Sequence, residues 1–348
     1  MTWTWGFRDR VRALPPACFA PVMATGIVSR ALGIDGAGRL SRALFGLGVA
    51  WFVVLAAALA WRAAAHRPQL LADVAAPAKV FGFFTFVAGA EVLAARLAIE
   101  GVRAAALVLC LVAMVAWARL ALWVPGTLRR SPGALGLADG TWFLCAVGLQ
   151  STVVAGSALW HGEVAAGLLL AVWVAGGCLY GAVLGVIGWR LRRHPVPPQG
   201  LTPAYWVAMG ACAITILAGA QVVQLGWSTG PHRALVAILL VLWGWATLLF
   251  PVLLWAGYWR HLRHRVPLRY EPTQWCIVFP LGMYAVASHT LAEAADVAGL
   301  GTVGEVMGWV AGGAWLLVTA AMTGVARRFT RRRPSAPLSS LGSGQNQL

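Results

Sequence analysis

The stretch EPTQWCIVFPLGMYAVASHTLAE, residues 271–293, decides the fold class of this chain. It is long enough to cross a bilayer, because a helix needs roughly 20 apolar residues to span a hydrocarbon layer of about 30 Å. Pro280 lies near its middle, and two titratable side chains, His289 and Glu293, lie near its end. The stretch is therefore predicted to be a membrane helix that bends at its middle and carries polar groups toward one end.

The rest of the chain has the same character. Of its 348 residues, 60% are hydrophobic and only 11% are charged, which is more apolar material than one soluble core can bury. The sequence therefore predicts an all-α integral membrane protein with a ten-helix domain at 17–326, after a cytoplasmic segment at 1–16 and before a disordered, basic cytoplasmic tail at 327–348. The ten hydrophobic spans are predicted near 17–33, 40–61, 77–97, 104–124, 140–160, 164–189, 202–226, 234–259, 272–293 and 306–326.

The positive charge of the chain is a signal of topology. The formal net charge of +16 could suggest a nucleic-acid partner, but the charges are distributed unevenly between the loops. If the N-terminus is cytoplasmic, 21 of the 27 Lys and Arg residues lie on the inner side. This is the positive-inside pattern of membrane proteins. We therefore expect a multi-pass protein of the plasma (inner) membrane with both termini in the cytoplasm, no removable signal peptide and no nucleic-acid partner.

Polarity alternates between consecutive spans. The second and sixth spans contain no Ser, Thr, Asn, Gln, His or charged residue between 43 and 61 or between 164 and 189, whereas all odd-numbered spans carry several polar residues. Polar groups are costly in hydrocarbon, so they face the interior of a bundle or a water-filled path. The pattern predicts five helical hairpins in a pseudo-fivefold arrangement, with the odd helices lining a central pore. A bundle whose inner helices simply bury more contacts remains an alternative.

Four motifs on the odd spans carry a family resemblance. They are Phe19-Ala-Pro-Val-Met-Ala-Thr-Gly-Ile-Val-Ser29, Gln150-Ser151, Pro203-Ala-Tyr-Trp-Val-Ala-Met-Gly210 and Trp275-Cys-Ile-Val-Phe-Pro-Leu-Gly-Met-Tyr284. In this order they resemble the tellurite-resistance/dicarboxylate transporter family, which includes plant slow-type anion channels and fungal malate and sulfite transporters. Met23-Ala24-Thr25-Gly26 departs mildly from the Met-Gly-Thr-Gly that is usual there.

The resemblance implies a function and an assembly. Members of this family transport small anions or C4-dicarboxylates, often as homotrimers in the lipid bilayer, and a phenylalanine of the ninth helix closes their pore. The matching position here is Phe279, followed by Pro280. The resemblance implies no cofactor, no metal and no enzymatic activity.

The polar and aromatic residues of the odd spans are the candidates for lining the pore. Glu91 is either a proton-coupling acid or a structural partner of an arginine, and His289 and Glu293 form either a proton relay or a local polar pair. Arg30 and Arg96 either attract anions or extend to lipid headgroups. The full set of pore-lining candidates is Phe19, Thr25, Ser29, Phe83, Thr85, Glu91, Gln150, Ser151, Thr215, Gln221, Met283, His289, Thr290 and Glu293.

Two other classes of function stay open at this point. A membrane redox enzyme that binds haem or quinone would need histidines at membrane depth, but six of the seven histidines lie between the predicted spans and His289 alone lies within one. The six cysteines occur singly, without the CxxC spacing of a metal site. A regulatory membrane subunit would show no flux when reconstituted alone.

Overall fold

Ten long helices make up the computed structural model, which describes residues 7–225 and 229–331. These described ranges contain helices and connecting turns but no β-strand, and nine of the helices are long and apolar enough to cross a membrane. The prediction of an all-α membrane protein is confirmed. The helices are α1 (Ala20–Ile34), α2 (Gly38–Ala65), α3 (Pro77–Ile99), α4 (Arg103–Arg129), α5 (Gly140–Leu159), α6 (Glu163–Arg193), α7 (Pro203–Gln224), α8 (Thr229–Tyr258), α9 (Pro272–Ala295) and α10 (Ala298–Arg331).

The first and last helices differ from the predicted spans. Helix α1 has only 15 residues, about 22 Å at 1.5 Å per residue, because Pro21 occupies its first turn and Gly36, at φ 83°, turns the chain just beyond its end. Helix α10 begins at 298 rather than 306 and continues to Arg331, past the predicted boundary at 327. A six-residue helix, Phe7–Arg12, lies within the segment predicted at 1–16. Residues 1–6 and 332–348 lie outside the described residues.

Burial separates the odd-numbered helices from the even-numbered ones. The most apolar windows of α3, α5, α7 and α9 are between 78% and 89% buried, whereas those of the five even-numbered helices are between 11% and 28% buried. In α1, eleven of the fifteen residues are buried. The odd-numbered helices therefore form the interior of the protein, and the even-numbered helices expose apolar side chains where a bilayer would surround them. The alternation in polarity corresponds to this division.

Each inner helix packs against two other inner helices, so that the last one contacts the first. The inner helices contact one another in the order α1, α3, α5, α7, α9 and back to α1, and each even-numbered helix packs on the odd-numbered helix that precedes it. Gly140 marks one close approach, because a Cβ added there would collide with the backbone of Ala204 and Tyr205 at the start of α7. Small residues permit such contacts between membrane helices.

An ion-paired cluster ties the ends of α2 and α3 together. Asp73, on a short helix between them, accepts hydrogen bonds from Arg62 Nη2 at 2.5 Å and from Lys79 Nζ at 2.7 Å. Arg62 also donates to the carbonyl of Leu14 at 3.1 Å and so fixes the chain before α1. Burial tends to raise the pKa of Asp73, but the hydrogen bonds from Lys79 and Arg62 outweigh it and hold the pKa below its usual range.

Candidate functional site

Two cavities lie among the inner helices, and all five inner helices line each of them. The Phe279 cavity is lined by Ala20, Met23, Thr85, Leu144, Val207, Trp275, Cys276 and Phe279. The Glu91 cavity is lined by Gly26, Ile27, Arg30, Glu91, Val92, Ala95, Arg96, Ser151, Val154, Ile214, Leu217 and Met283.

The cavities follow one another along the bundle axis. On every inner helix, the residues of the Phe279 cavity precede those of the Glu91 cavity by about one or two turns, as Thr85 precedes Glu91 and Phe279 precedes Met283. Because the inner helices alternate with returning outer helices, they all run in the same direction. The two cavities therefore mark successive levels of one axis. Each has a volume of about 10 Å³, near the least that holds one water molecule.

Phe279 is the residue of α9 that lines its own cavity and is nearest in sequence to the Glu91 cavity. Its side chain is 2% exposed, and it is one helical turn from Met283, which lines the other cavity. The ring packs against Gly210 of α7, where an added Cβ would lie 3.3 Å from Cε1 of Phe279 and 2.9 Å from Cγ of Pro280. Helix α9 continues through Pro280 from Trp275 to Ala295, although proline removes one backbone hydrogen bond from a helix.

Glu91 is the acidic side chain of its cavity. It is 0% exposed, and its Oε1 accepts a hydrogen bond of 3.1 Å from the hydroxyl of Thr152. Its Oε2 has no hydrogen-bond partner within the described residues. Arg30 and Arg96 line the same cavity, and Arg96 also forms an ion pair of 2.7 Å with Glu100. A buried carboxyl that accepts a hydrogen bond from one hydroxyl, in a cavity that two arginines also line, can bind a proton or face an anion.

Five of the predicted residues line these cavities. Thr85 and Phe279 belong to the first cavity, and Glu91, Ser151 and Met283 belong to the second. The hydroxyl of Ser151 donates to the carbonyl of Val147 at 2.8 Å, and that of Thr85 donates to the carbonyl of Gly82 at 2.7 Å. Both hydroxyls therefore satisfy their own helix while their side chains border the cavity.

Three predicted pore-lining residues point instead toward outer helices. Thr25 accepts a hydrogen bond of 2.8 Å from the indole of Trp315 on α10. Ser29 donates to the carbonyl of Ser41 on α2 at 2.7 Å, and Gln150 donates to the carbonyl of Trp173 on α6 at 3.0 Å. Thr25, Ser29 and Gln150 therefore each fasten an inner helix to an outer one, while Oε1 of Gln150 has no hydrogen-bond partner within the described residues. That these three residues line the pore stays a prediction.

Four further candidates have local packing roles. Thr215 and Thr290 donate to the carbonyls four residues earlier, at 2.7 Å and 3.0 Å. Phe19 packs among rings of neighbouring helices, with centroids 5.7 Å from Phe52 and 5.1 Å from Phe86. Phe83 is buried in the short turn that opens α3. None of these four residues borders either cavity.

His289 and Glu293 have hydrogen-bond partners on other helices, and their predicted relay or polar pair stays a prediction. His289 Nε2 lies 2.8 Å from Oδ1 of Asp35, in the turn after α1, whereas Glu293 accepts a hydrogen bond of 3.3 Å from Gln224. Gln221 accepts from the hydroxyl of Ser157 at 3.1 Å. These three side chains join the ends of neighbouring helices.

Asp35, the partner of His289, has a side chain that is fully buried, and its Oδ2 has no hydrogen-bond partner within the described residues. Burial raises the pKa of Asp35, and the hydrogen bond from His289 opposes that shift.

Sequence reasoning did not identify the apolar residues of the cavities. Val154, Ile214 and Leu217 line the Glu91 cavity, and Leu144 and Val207 line the Phe279 cavity. An apolar residue on a membrane helix has the same appearance in the sequence whether it faces lipid, protein or a cavity. Ile214 and Leu217 flank the candidate Thr215, and this proximity was the one available signal.

The sequence of the chain matches that of a known protein family. A sequence profile of the voltage-dependent anion channel family matches residues 13–323, and so covers all five inner helices and both cavities. The chain belongs to the voltage-dependent anion channel family. The family resemblance inferred from the four motifs is confirmed, and membership implies anion transport.

Individual relatives of the chain are described as a membrane protein and as transporters. An uncharacterized membrane protein of Mycobacterium tuberculosis is 44% identical over 149 residues, which are 41% of this chain and 75% of that protein. Two uncharacterized transporters of Methanocaldococcus jannaschii are each 27% identical over 158 residues, which are 42% of this chain and 44% of each transporter. The chain is therefore a multi-pass membrane protein similar to transporters.

Proposed function

We propose that this chain conducts small anions along the axis of its inner helices and that Phe279 closes the path. The observation that carries the proposal is the position of Phe279, which is buried in the lining of one cavity and lies one helical turn from Met283, which lines the next. A bulky apolar ring at a constriction excludes ions by keeping the constriction dry. Each cavity has room for about one water, so a hydrated anion passes only after the ring moves.

The charges around the Glu91 cavity suggest how anions are selected. Arg30 and Arg96 supply positive charge, which raises the local concentration of anions. An ionised Glu91 would repel these anions. Its ionisation is costly because the carboxyl is buried and a single hydroxyl donates a hydrogen bond to it. In this proposal Glu91 is protonated while an anion passes, and its carboxylic acid can donate a hydrogen bond to that anion. Transport is then favoured at low pH.

The proposal also includes a substrate class, an orientation in the membrane and an oligomeric state. We take the substrate to be a small inorganic anion or a C4-dicarboxylate such as malate, with tellurite and sulfite as further candidates from the family resemblance. The unequal distribution of Lys and Arg supports cytoplasmic termini in the plasma (inner) membrane. A homotrimer follows from the same resemblance.

A flux panel in liposomes tests this function. The purified chain would be reconstituted and loaded separately with chloride, nitrate, sulfite, malate and tellurite, with protein-free liposomes as the control. We expect flux of at least one anion above the control, and faster flux at acidic than at neutral pH. Absence of flux for every anion at both pH values would contradict the function. A Soret band in the absorbance spectrum would favour the redox alternative.

A further inference from the structure

A groove separate from the axis cavities lies between the end of α8 and the helices α9 and α10. Its volume is about 490 Å³, within the range of small-molecule sites. We call it the α8–α10 groove, and it is lined by Pro203, Arg260, His261, Leu268, Arg269, Tyr270, Glu271, Gln274, Ile277, Ala314, Leu317, Val318 and Ala321.

Irregular backbone at the end of α8 shapes this groove. After Tyr258 the helix changes to a π-helical turn, Trp259–Arg263, and Arg265 then adopts a positive φ of 52°. Such turns occur frequently at functional sites, and a positive φ is uncommon for a residue with a side chain. Together they reverse the chain, so that the segment 268–274 forms a wall facing α10.

The lining of the groove combines apolar and polar residues. Leu268, 78% exposed, and Leu317, 74% exposed, together with Ile277 and Ala314 form what we call its apolar side. Arg260, His261, Arg269 and the other polar residues of the lining form what we call its polar side. Trp255 and Tyr258, both largely exposed, lie just before this polar side, as aromatic residues do at a membrane surface. The groove therefore spans the boundary between hydrocarbon and headgroups.

The polar side keeps unneutralised positive charge. Arg260 is 5% exposed; its Nη2 lies 3.2 Å from Oε1 of Glu271 and its Nη1 donates to the carbonyl of Leu201 at 3.0 Å. Its Nε has no hydrogen-bond partner within the described residues. Arg269 is exposed and pairs with no acid in the described part of the chain. The segment 260–271 holds four arginines and one acid, so its surplus charge is positive.

We propose that the α8–α10 groove binds one anionic phospholipid, with its acyl chain against the apolar side and its phosphate at Arg269 and the Nε of Arg260. Basic pockets between membrane helices commonly hold anionic headgroups. The basic end of the chain itself, with five arginines between 327 and 333, has the same charge as the groove and is a poor occupant. The site is independent of the anion pathway, because none of its residues lines either axis cavity.

Native mass spectrometry and thermal unfolding of the full chain in mild detergent test this site. Three probes are added separately: phosphatidylglycerol, phosphatidylcholine and soluble glycerophosphate. We expect phosphatidylglycerol to bind and to raise the melting temperature, and the other two to bind more weakly. Arg269→Gln should weaken phosphatidylglycerol binding about fivefold, which corresponds to one arginine near an anionic surface. Arg192→Gln removes an exposed arginine at the end of α6, outside the groove, and should leave binding unchanged.

The variant Ala314→Trp provides a second measurement, because an indole at this position fills the apolar side and leaves every charge in place. We expect it to reduce phosphatidylglycerol binding as Arg269→Gln does. Equal binding of phosphatidylglycerol and phosphatidylcholine would overturn the proposal, and so would equal binding by Arg269→Gln and the parent. Binding of glycerophosphate as tight as that of the lipid would assign the groove to free phosphate esters. A dimer or trimer mass that Ala314→Trp abolishes without any loss of lipid would assign it to a second copy.

Discussion

Replacing Glu91 with glutamine should remove the pH dependence of transport. Glutamine keeps the shape of the side chain and can still accept the hydrogen bond that Thr152 donates to Glu91 Oε1 at 3.1 Å, so the fold is retained. Glutamine cannot ionise, so the variant resembles the protonated parent at every pH. In the proposed mechanism the anion passes when Glu91 is neutral, so we expect flux through the parent at low pH and its loss as pH rises through the titration of this group.

The expected steepness of the pH dependence follows from the number of titrating groups that face the path. Glu91 is the one acid among the residues that line the Glu91 cavity. Cys110 of α4 packs near Glu91 from outside the cavity. A single proton changes an equilibrium by at most about tenfold per pH unit, or about 1.4 kcal/mol. Flux through the parent should therefore fall with a slope that approaches tenfold per unit.

Chloride efflux from liposomes between about pH 5 and pH 8 measures this slope. Glu91→Gln should give a nearly flat profile at the level that the parent reaches at low pH. The matched control, Glu163→Gln, removes an exposed acid at the start of α6 and should keep the slope of the parent. A folded Glu91→Gln variant whose pH profile matches the parent would refute the role of this carboxyl and would leave it a structural group.

Four other substitutions test stability and topology. Asp73→Asn should lower the free energy of unfolding by about 3 kcal/mol, since it breaks a buried pair with Arg62. The difference from the parent should shrink as pH falls, because the pKa of Asp73 is low in the folded protein and the stability that its charge provides is lost in acid. Asp35→Asn should cost less than about 1 kcal/mol, because the amide oxygen can still accept the hydrogen bond from His289 and burial disfavours the charge that the substitution removes. Denaturant titration compares the two variants, and an equal loss would contradict the assignment. Gly140→Ala should reduce the folded yield in size-exclusion chromatography, since its Cβ has no room beside the backbone of α7, and an unchanged yield would show that the contact is loose. A cysteine introduced at Ser340 should react with an impermeant reagent only after cells are permeabilised, and labelling of intact cells would reverse the proposed topology.

Much of the architecture could be predicted because the membrane imposes a simple rule. Hydrocarbon penalises every polar group, so the division into inner and outer helices appears directly in the positions of Ser, Thr and Gln along the chain. Helix ends were less predictable. Residues 298–305, which open α10, include three glycines and Glu305 and have little apolar character, yet they continue the helix. Local composition marks the hydrocarbon region rather than the length of the helix.

The direction of each polar side chain could not be predicted. Thr25 and Gln150 lie on inner helices, as expected, but their hydrogen-bond partners are Trp315 and Trp173 of outer helices. Trp315 is 290 positions from Thr25 in the chain, and no local pattern reports such a contact. Glu91 was identifiable because a carboxyl at membrane depth needs a reason to be there. A polar residue on an inner helix can therefore fasten that helix to its neighbour as well as line a path.

The central claim is that Phe279 closes the anion path, and the flux through Phe279→Ala tests it most directly. Truncating a buried phenylalanine typically costs about 3 to 5 kcal/mol, so the comparison needs a variant with the same loss elsewhere. Phe19→Ala provides it, because Phe19 is equally buried but packs against Phe52 and Phe86 away from both cavities. We predict that folded Phe279→Ala conducts chloride faster than the parent in liposomes, while folded Phe19→Ala conducts at the rate of the parent. Equal flux through the parent and folded Phe279→Ala, or equally raised flux in both variants, would contradict the claim.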